Sequence, residues 1–162
     1  MRLTWVSGSG VFAVLAVIFA FATANESAAT EPKARDAPVR SDGFVIVVNE
    51  KNPVSTMPRG LVSRLFLKKV SRWDSGAVAL PVDLPADSPV RDAFTRHVLS
   101  KSVGSVRAYW QQQIFSGRDV PPPEKPSDEA VLDFVQSNAA AIAYVSPVAT
   151  LPRGVRVLAV TN

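Results

Sequence analysis

Two uninterrupted apolar runs do most to limit what this chain can fold into. Residues 44–48 (FVIVV) and 141–145 (AIAYV) carry no charged or amide side chain. A strand with one face in water alternates apolar and polar residues, whereas a strand packed on both faces is apolar throughout. Both runs therefore predict strands covered from two sides. Residues 78–83 (VALPVD) read as another strand, with Pro81 suiting an edge position, and residues 155–160 (VRVLAV) as a further buried one.

Helical spacing fills the intervals. After Pro58, which can open a helix, Leu61, Val62, Leu65 and Phe66 recur on one face, and Lys68 and Lys69 suit its carbonyl end. Residues 49–58 read as a turn-rich connection. Asp87-Ser88-Pro89 is a helix start, a capping residue followed by proline at the first helical position. Val90, Ala93, Phe94 and Val98 give that helix its apolar face. Ser102 caps a helix in which Val103, Val106, Trp110 and Ile114 recur, and Gly117 suits its end. Ser127 opens another, running through Gln136. The order β-α-β-α-α-α-β-β predicts an α/β three-layer domain, a mixed sheet flanked by helices.

The amino-terminal part is different in kind. Residues 1–24 read as a signal peptide: Arg2, an apolar run at 11–21 (VFAVLAVIFAF), then Ala22-Thr23-Ala24 with cleavage before Asn25. The run is shorter than the roughly 20 residues that span a bilayer. Residues 25–43 are rich in alanine, proline and mixed charge, too polar to bury a core, and read as a flexible linker. The folded domain is expected at 44–162 and its destination is periplasmic or secreted. The absence of cysteine excludes disulfides, a thiol nucleophile and a lipid anchor. Without Arg2 the balance is 17 basic against 14 acidic residues, scattered along the chain, which argues against a nucleic-acid partner.

Enzymatic signatures are lacking. The single histidine, His97, falls on a predicted helix, and there is neither a Gly-x-Ser-x-Gly elbow nor a glycine-rich phosphate loop. No catalytic residue, metal site or cofactor is expected.

Several ordered motifs carry a resemblance. FVIVVNEKNP at 44–53, LVSRLFLKKVSRW at 61–73 and AIAYV at 141–145 resemble the phosphate-type periplasmic solute-binding proteins of ABC transporters. Those proteins have a hydrophobic strand, an Asn-Pro turn, a helix ending in IF-x-G-K-x-x-x-W, and a later G-A-I-G-Y-V strand. Here Leu65 to Lys69 and Trp73 stand at the helix end, and alanines replace both glycines of the later strand. The resemblance implies a single lobe of the periplasmic-binding-protein type, without enzymatic activity. It also implies a small oxyanion ligand, phosphate above all, in uptake or sensing. The alternative is a lobe kept as a protein-interaction module after loss of ligand binding.

The candidate ligand-binding residues are Ser88, Arg91, Ser55 and Thr56. In the family an arginine and a Ser-Gly-Thr run at a helix start hold the phosphate. Here Ser88 keeps its place, Pro89 and Val90 replace glycine and threonine, and Asp83 falls about where the arginine would stand. Main-chain N–H groups at the Ser88 helix start, its hydroxyl and Arg91 would supply the donors; the plainer role of Asp87 or Ser88 is a helix cap. Ser55 and Thr56 lie in the loop after the first strand, which the resemblance turns toward the ligand cleft; the plainer role of their hydroxyls is local bonding to the backbone.

Overall fold

The computed structural model describes residues 43–162, so the expected signal peptide at 1–24 and the linker up to residue 42 lie outside the described residues. The first apolar run becomes β1 (Val45–Asn49), buried at every position. It lies inside a four-stranded sheet of order β3-β4-β1-β5. β1 runs antiparallel to both β4 (Ala141–Val145) and β5 (Val155–Val157). β3 (Leu80–Pro81) joins the other side of β4 in parallel, so the sheet is mixed.

Register assigns the faces. Ile46 sits opposite Tyr144 and Val47 opposite Ala143. Successive side chains point to opposite sides, so Ile46 and Tyr144 share one face, and Val47, Asn49 and Ala143 the other. Helices α1 (Arg59–Phe66) and α2 (Pro89–His97) cover the first face. Phe94 of α2 stacks on Tyr144 at 3.9 Å between ring centroids and 7° between planes, and Phe66 of α1 lies 5.7 Å from the same ring. The other face belongs to α4 (Asp128–Ser137), where the Asn49 Nδ2 donates to the carbonyls of Val135 and Gln136 at 2.8 Å each. The two-sided burial required by the apolar runs is thus met by three layers. Between α2 and α4 in sequence, α3 (Val103–Phe115) packs against α2 and buries Val106 and Trp110.

Ser88, Ser102 and Ser127 each accept a bond from the main-chain N–H three residues on, at 3.4, 3.1 and 3.3 Å. Such caps contribute about 1 kcal/mol apiece. Gly117 ends the α3 region with φ +65°, a conformation glycine adopts without strain.

Three segments differ from the sequence reading. Of residues 78–83 only Leu80–Pro81 form the strand. On the outer side of β3, the Ala79 N–H bonds Ser71 and that of Asp83 bonds Pro123, while Pro81 has no N–H to satisfy. Residues 155–160 divide between two sheets: the Leu158 N–H bonds the Ile46 carbonyl, the Ala159 N–H bonds that of Ser55, and the chain continues as β6 (Ala159–Thr161). β6 pairs in parallel with β2 (Thr56–Pro58), a short strand inside what reads as a connection.

Candidate functional site

Where β3 ends, its neighbours fix the backbone of Asp83 on two sides. The Val82 N–H bonds the Ile142 carbonyl at 3.0 Å, and the Asp83 N–H bonds that of Pro123 at 3.0 Å. The Asp83 carbonyl accepts from the Lys125 N–H at 2.9 Å, which ties the proline-rich loop to the sheet. The Asp83 carboxylate meets Tyr144, whose hydroxyl donates to Oδ1. The Leu84 N–H also donates to Oδ1, at 3.0 Å, and the Arg91 Nη2 lies 3.0 Å from Oδ2.

Arg91 engages three groups. Besides Asp83, its Nη1 donates to the Leu84 carbonyl at 2.6 Å and to Glu124 Oε1. The side chains of Arg91 and Asp83 are 8% and 11% exposed, and that of Glu124 is 52% exposed. Burial pushes the Asp83 carboxyl above its usual range, outweighing Arg91, the Tyr144 hydroxyl and the Leu84 N–H, which favour the ionised form. For Arg91 burial opposes the charge, yet Asp83 and Glu124 prevail, and the guanidinium holds its proton more tightly than in a free chain. Burial and the neighbouring Asp83 carboxylate raise Tyr144 far above its ordinary value. The arrangement is an ion-pair cluster with every charge answered inside the chain. Its one hydroxyl beside a carboxylate, Tyr144 on Asp83, is buried, and its cation is not turned to solvent.

The residues expected to bind ligand fall into two places. Ser88 and Arg91 come together at the start of α2, where the Ser88 Oγ accepts from the Arg91 N–H and the Ser88 N–H donates to the Pro85 carbonyl at 3.0 Å. Ser55 and Thr56 are exposed beside the separate β2–β6 pair, where Thr56 stands in register with Ala159. Trp73 is buried and donates from Nε1 to the Ala140 carbonyl at 2.9 Å. His97 is exposed at the end of α2, its ring 6.3 Å from that of Phe44. Among the described residues no group of three or more acidic or histidine side chains is placed to hold a metal. A groove of about 250 Å³ lies beside β3, lined by Leu65, Val78, Leu80, Pro123 and Phe134 together with the Lys68–Asp119 pair; neither Arg91 nor any of the candidate hydroxyls lines it.

Sequence reasoning missed Glu124 and Tyr144 and treated Asp83 only as a neighbour of the helix start. One signal was present. Arg91 stands three and four residues before Phe94 and Thr95, both buried, and seven before Val98. That spacing places it on the buried stripe of α2, and an arginine there needs a carboxylate.

No family model matches this chain, nor does any curated protein. Solved structures do. A protein of Clostridium perfringens described as a phosphate ABC transporter substrate-binding protein, with phosphate bound, matches with TM-score 0.58 and 20% identity, over 73% of this chain and 44% of that one. An ABC-type phosphate transport receptor of Vibrio cholerae matches with TM-score 0.55 and 19% identity, over 73% of this chain and 46% of that one. PstS of Borrelia burgdorferi matches with TM-score 0.57 and 8% identity, over 74% of this chain and 47% of that one. The chain has the fold of this group of binding proteins and spans less than half the length of each.

Proposed function

We propose that the chain is an exported, non-enzymatic lobe of the binding-protein type that acts by contact with another protein and has lost capture of free oxyanions. The observation that carries this reading is the state of Arg91: its side chain is 8% exposed and bound to Asp83, Glu124 and the Leu84 carbonyl. A receptor for a small anion needs its cation presented to the solute. Exposed apolar side chains support the contact with another protein. Phe115, at the end of α3, is 90% exposed, with Ile114 beside it and Val120 shortly after it also exposed. Apolar surface of this kind is what a protein partner buries. The fold's likeness to three phosphate-transport proteins favours a second reading, in which Ser88, Arg91, Ser55 and Thr56 bind a small oxyanion weakly in support of uptake or sensing.

Calorimetric titration with phosphate, sulfate and arsenate separates the two. The interaction reading expects no saturable heat at millimolar anion; saturable binding overturns it in favour of the second. Pull-down from periplasmic extract, compared with a Phe115→Ser chain, tests the contact itself, and a partner retained equally by both removes Phe115 from it. Export predicts that the chain expressed in a bacterial host is recovered from the periplasm with Asn25 as its first residue, which mass spectrometry checks.

A further inference from the structure

A guanidinium, a phenol and a main-chain N–H converge on the two carboxylate oxygens of Asp83. That is the donor set with which a protein holds a free carboxylate or oxyanion. Each donor is also positioned by something other than Asp83's side chain. The Tyr144 ring is stacked on Phe94 and flanked by Phe44 and Phe66. Arg91 is held by the Leu84 carbonyl and by Glu124. The backbone leading into the Leu84 N–H is fixed at Asp83, whose N–H donates to the Pro123 carbonyl and whose carbonyl accepts from the Lys125 N–H.

We propose that Asp83 is a built-in ligand: its carboxylate fills a preformed anion site walled by Arg91, Tyr144 and the Leu84 N–H, and a chain without that carboxylate takes a small monocarboxylate from solution in its place. The inference rests on the reading of the lobe as closed to free anions and explains how it is closed. It also sets the size of the replacement. Asp83→Ala leaves Cβ and removes a carboxylate, the volume of formate; Asp83→Gly removes the methylene as well, the volume of acetate.

The test uses the full chain and thermal unfolding followed by circular dichroism, with sodium formate, acetate and chloride at matched ionic strength. Asp83→Ala lowers Tm by about 10 °C, as expected when one member of a buried pair is removed. Formate at about 0.3 M then restores about 3 °C or more beyond chloride by mass action, and acetate does better in Asp83→Gly. Adding Arg91→Met abolishes the difference between formate and chloride. If Asp83→Ala does not fold alone, its refolding yield with formate against chloride is the readout, and the same rule applies. The proposal is overturned if both variants respond equally to carboxylate and chloride, or if the formate effect survives Arg91→Met. Phosphate binding by the unaltered chain would instead defeat the interaction reading, a result visible separately by calorimetry.

Discussion

Replacing Arg91 by methionine keeps a long apolar stem and removes the guanidinium. The Asp83 carboxylate, 11% exposed, then loses the cation 3.0 Å away and keeps only the Tyr144 hydroxyl and the Leu84 N–H. Removing one partner of a buried ion pair costs about 3–5 kcal/mol. That is a large part of the 5–15 kcal/mol that is typical of a domain. The loss depends on pH because Asp83 can escape by taking a proton. Its carboxyl already sits above the usual range through burial, and Arg91 is the largest influence pulling it down. Without Arg91 it rises further. A carboxyl whose folded value is raised contributes its stability in full below the unfolded value of about 3.9 and loses it as pH climbs through the folded value, at about 1.4 kcal/mol per unit. The deficit of Arg91→Met relative to the unaltered chain is therefore about 3–5 kcal/mol at pH 7 and about 1–2 kcal/mol near pH 4. Adding Asp83→Asn flattens the dependence and recovers about 2 kcal/mol at pH 7. Urea unfolding at several pH values, with each variant referred to the unaltered chain at the same pH, measures all of this. A deficit under about 0.5 kcal/mol at pH 7 would be that of an arginine offered to solvent. That result, or a deficit that does not move with pH, refutes the cluster as the reason Arg91 is present.

Three further outcomes follow from the same geometry. Glu124→Gln costs only about 0.5–1 kcal/mol, because its side chain is 52% exposed, and the cost falls in high salt; a loss matching that of Arg91→Met would contradict this. Asn49→Asp turns two donated bonds at the carboxyl end of α4 into contacts between an anion and carbonyls, and lowers stability by about 3 kcal/mol or more at pH 7. Asn49→Asp unfolding with the same urea midpoint as the parent would rule that out. Tyr144 is held well above the ordinary tyrosine range by burial and Asp83, so the stability of keeping it neutral is complete below about pH 10 and is lost above it as the unfolded phenol ionises. Its tyrosinate absorbance is expected to appear only together with loss of the far-ultraviolet dichroism, and ionisation of both tyrosines in a chain still folded would refute this.

Much of the fold was legible because burial on two faces writes itself into composition. The short runs around Val47 and Ala143, rich in β-branched residues or bounded by turns, read as inner strands, and three serines three residues ahead of an N–H needing a partner marked three helix starts. Short strands were less legible. β2 and β6 hold three residues each, and their pairing depends on Leu158 passing the chain from one sheet to another, which is a tertiary event. The site was half legible. Ser88 and Arg91 do meet, but the direction of the arginine was readable only from the stripe it shares with Phe94 and Val98. Its charged partners, Asp83 8 residues before it and Glu124 33 after, carry no local pattern, and neither does Tyr144, which bonds Asp83 from 61 residues further on.

The balance of nearby charges decides whether an arginine beside a helix start makes an anion site. At about 5 Å and an effective dielectric of about 20, one unit charge attracts or repels another by about 3 kcal/mol. Arg91 alone would draw an oxyanion by about that much, and each neighbouring carboxylate at a similar distance opposes it by as much. With Asp83 and Glu124 both in place the cluster repels an approaching anion, a change of more than a hundredfold in affinity from neutrality. Glu124, half exposed and bonded through Arg91, can swing into solvent and leave the balance neutral. Asp83, held by three donors and by its own backbone, cannot. Of the two carboxylates it is therefore Asp83 that stands against an oxyanion here: with it removed and Glu124 turned to solvent, the charge left is that of Arg91, the group on which the proposed replacement anion depends.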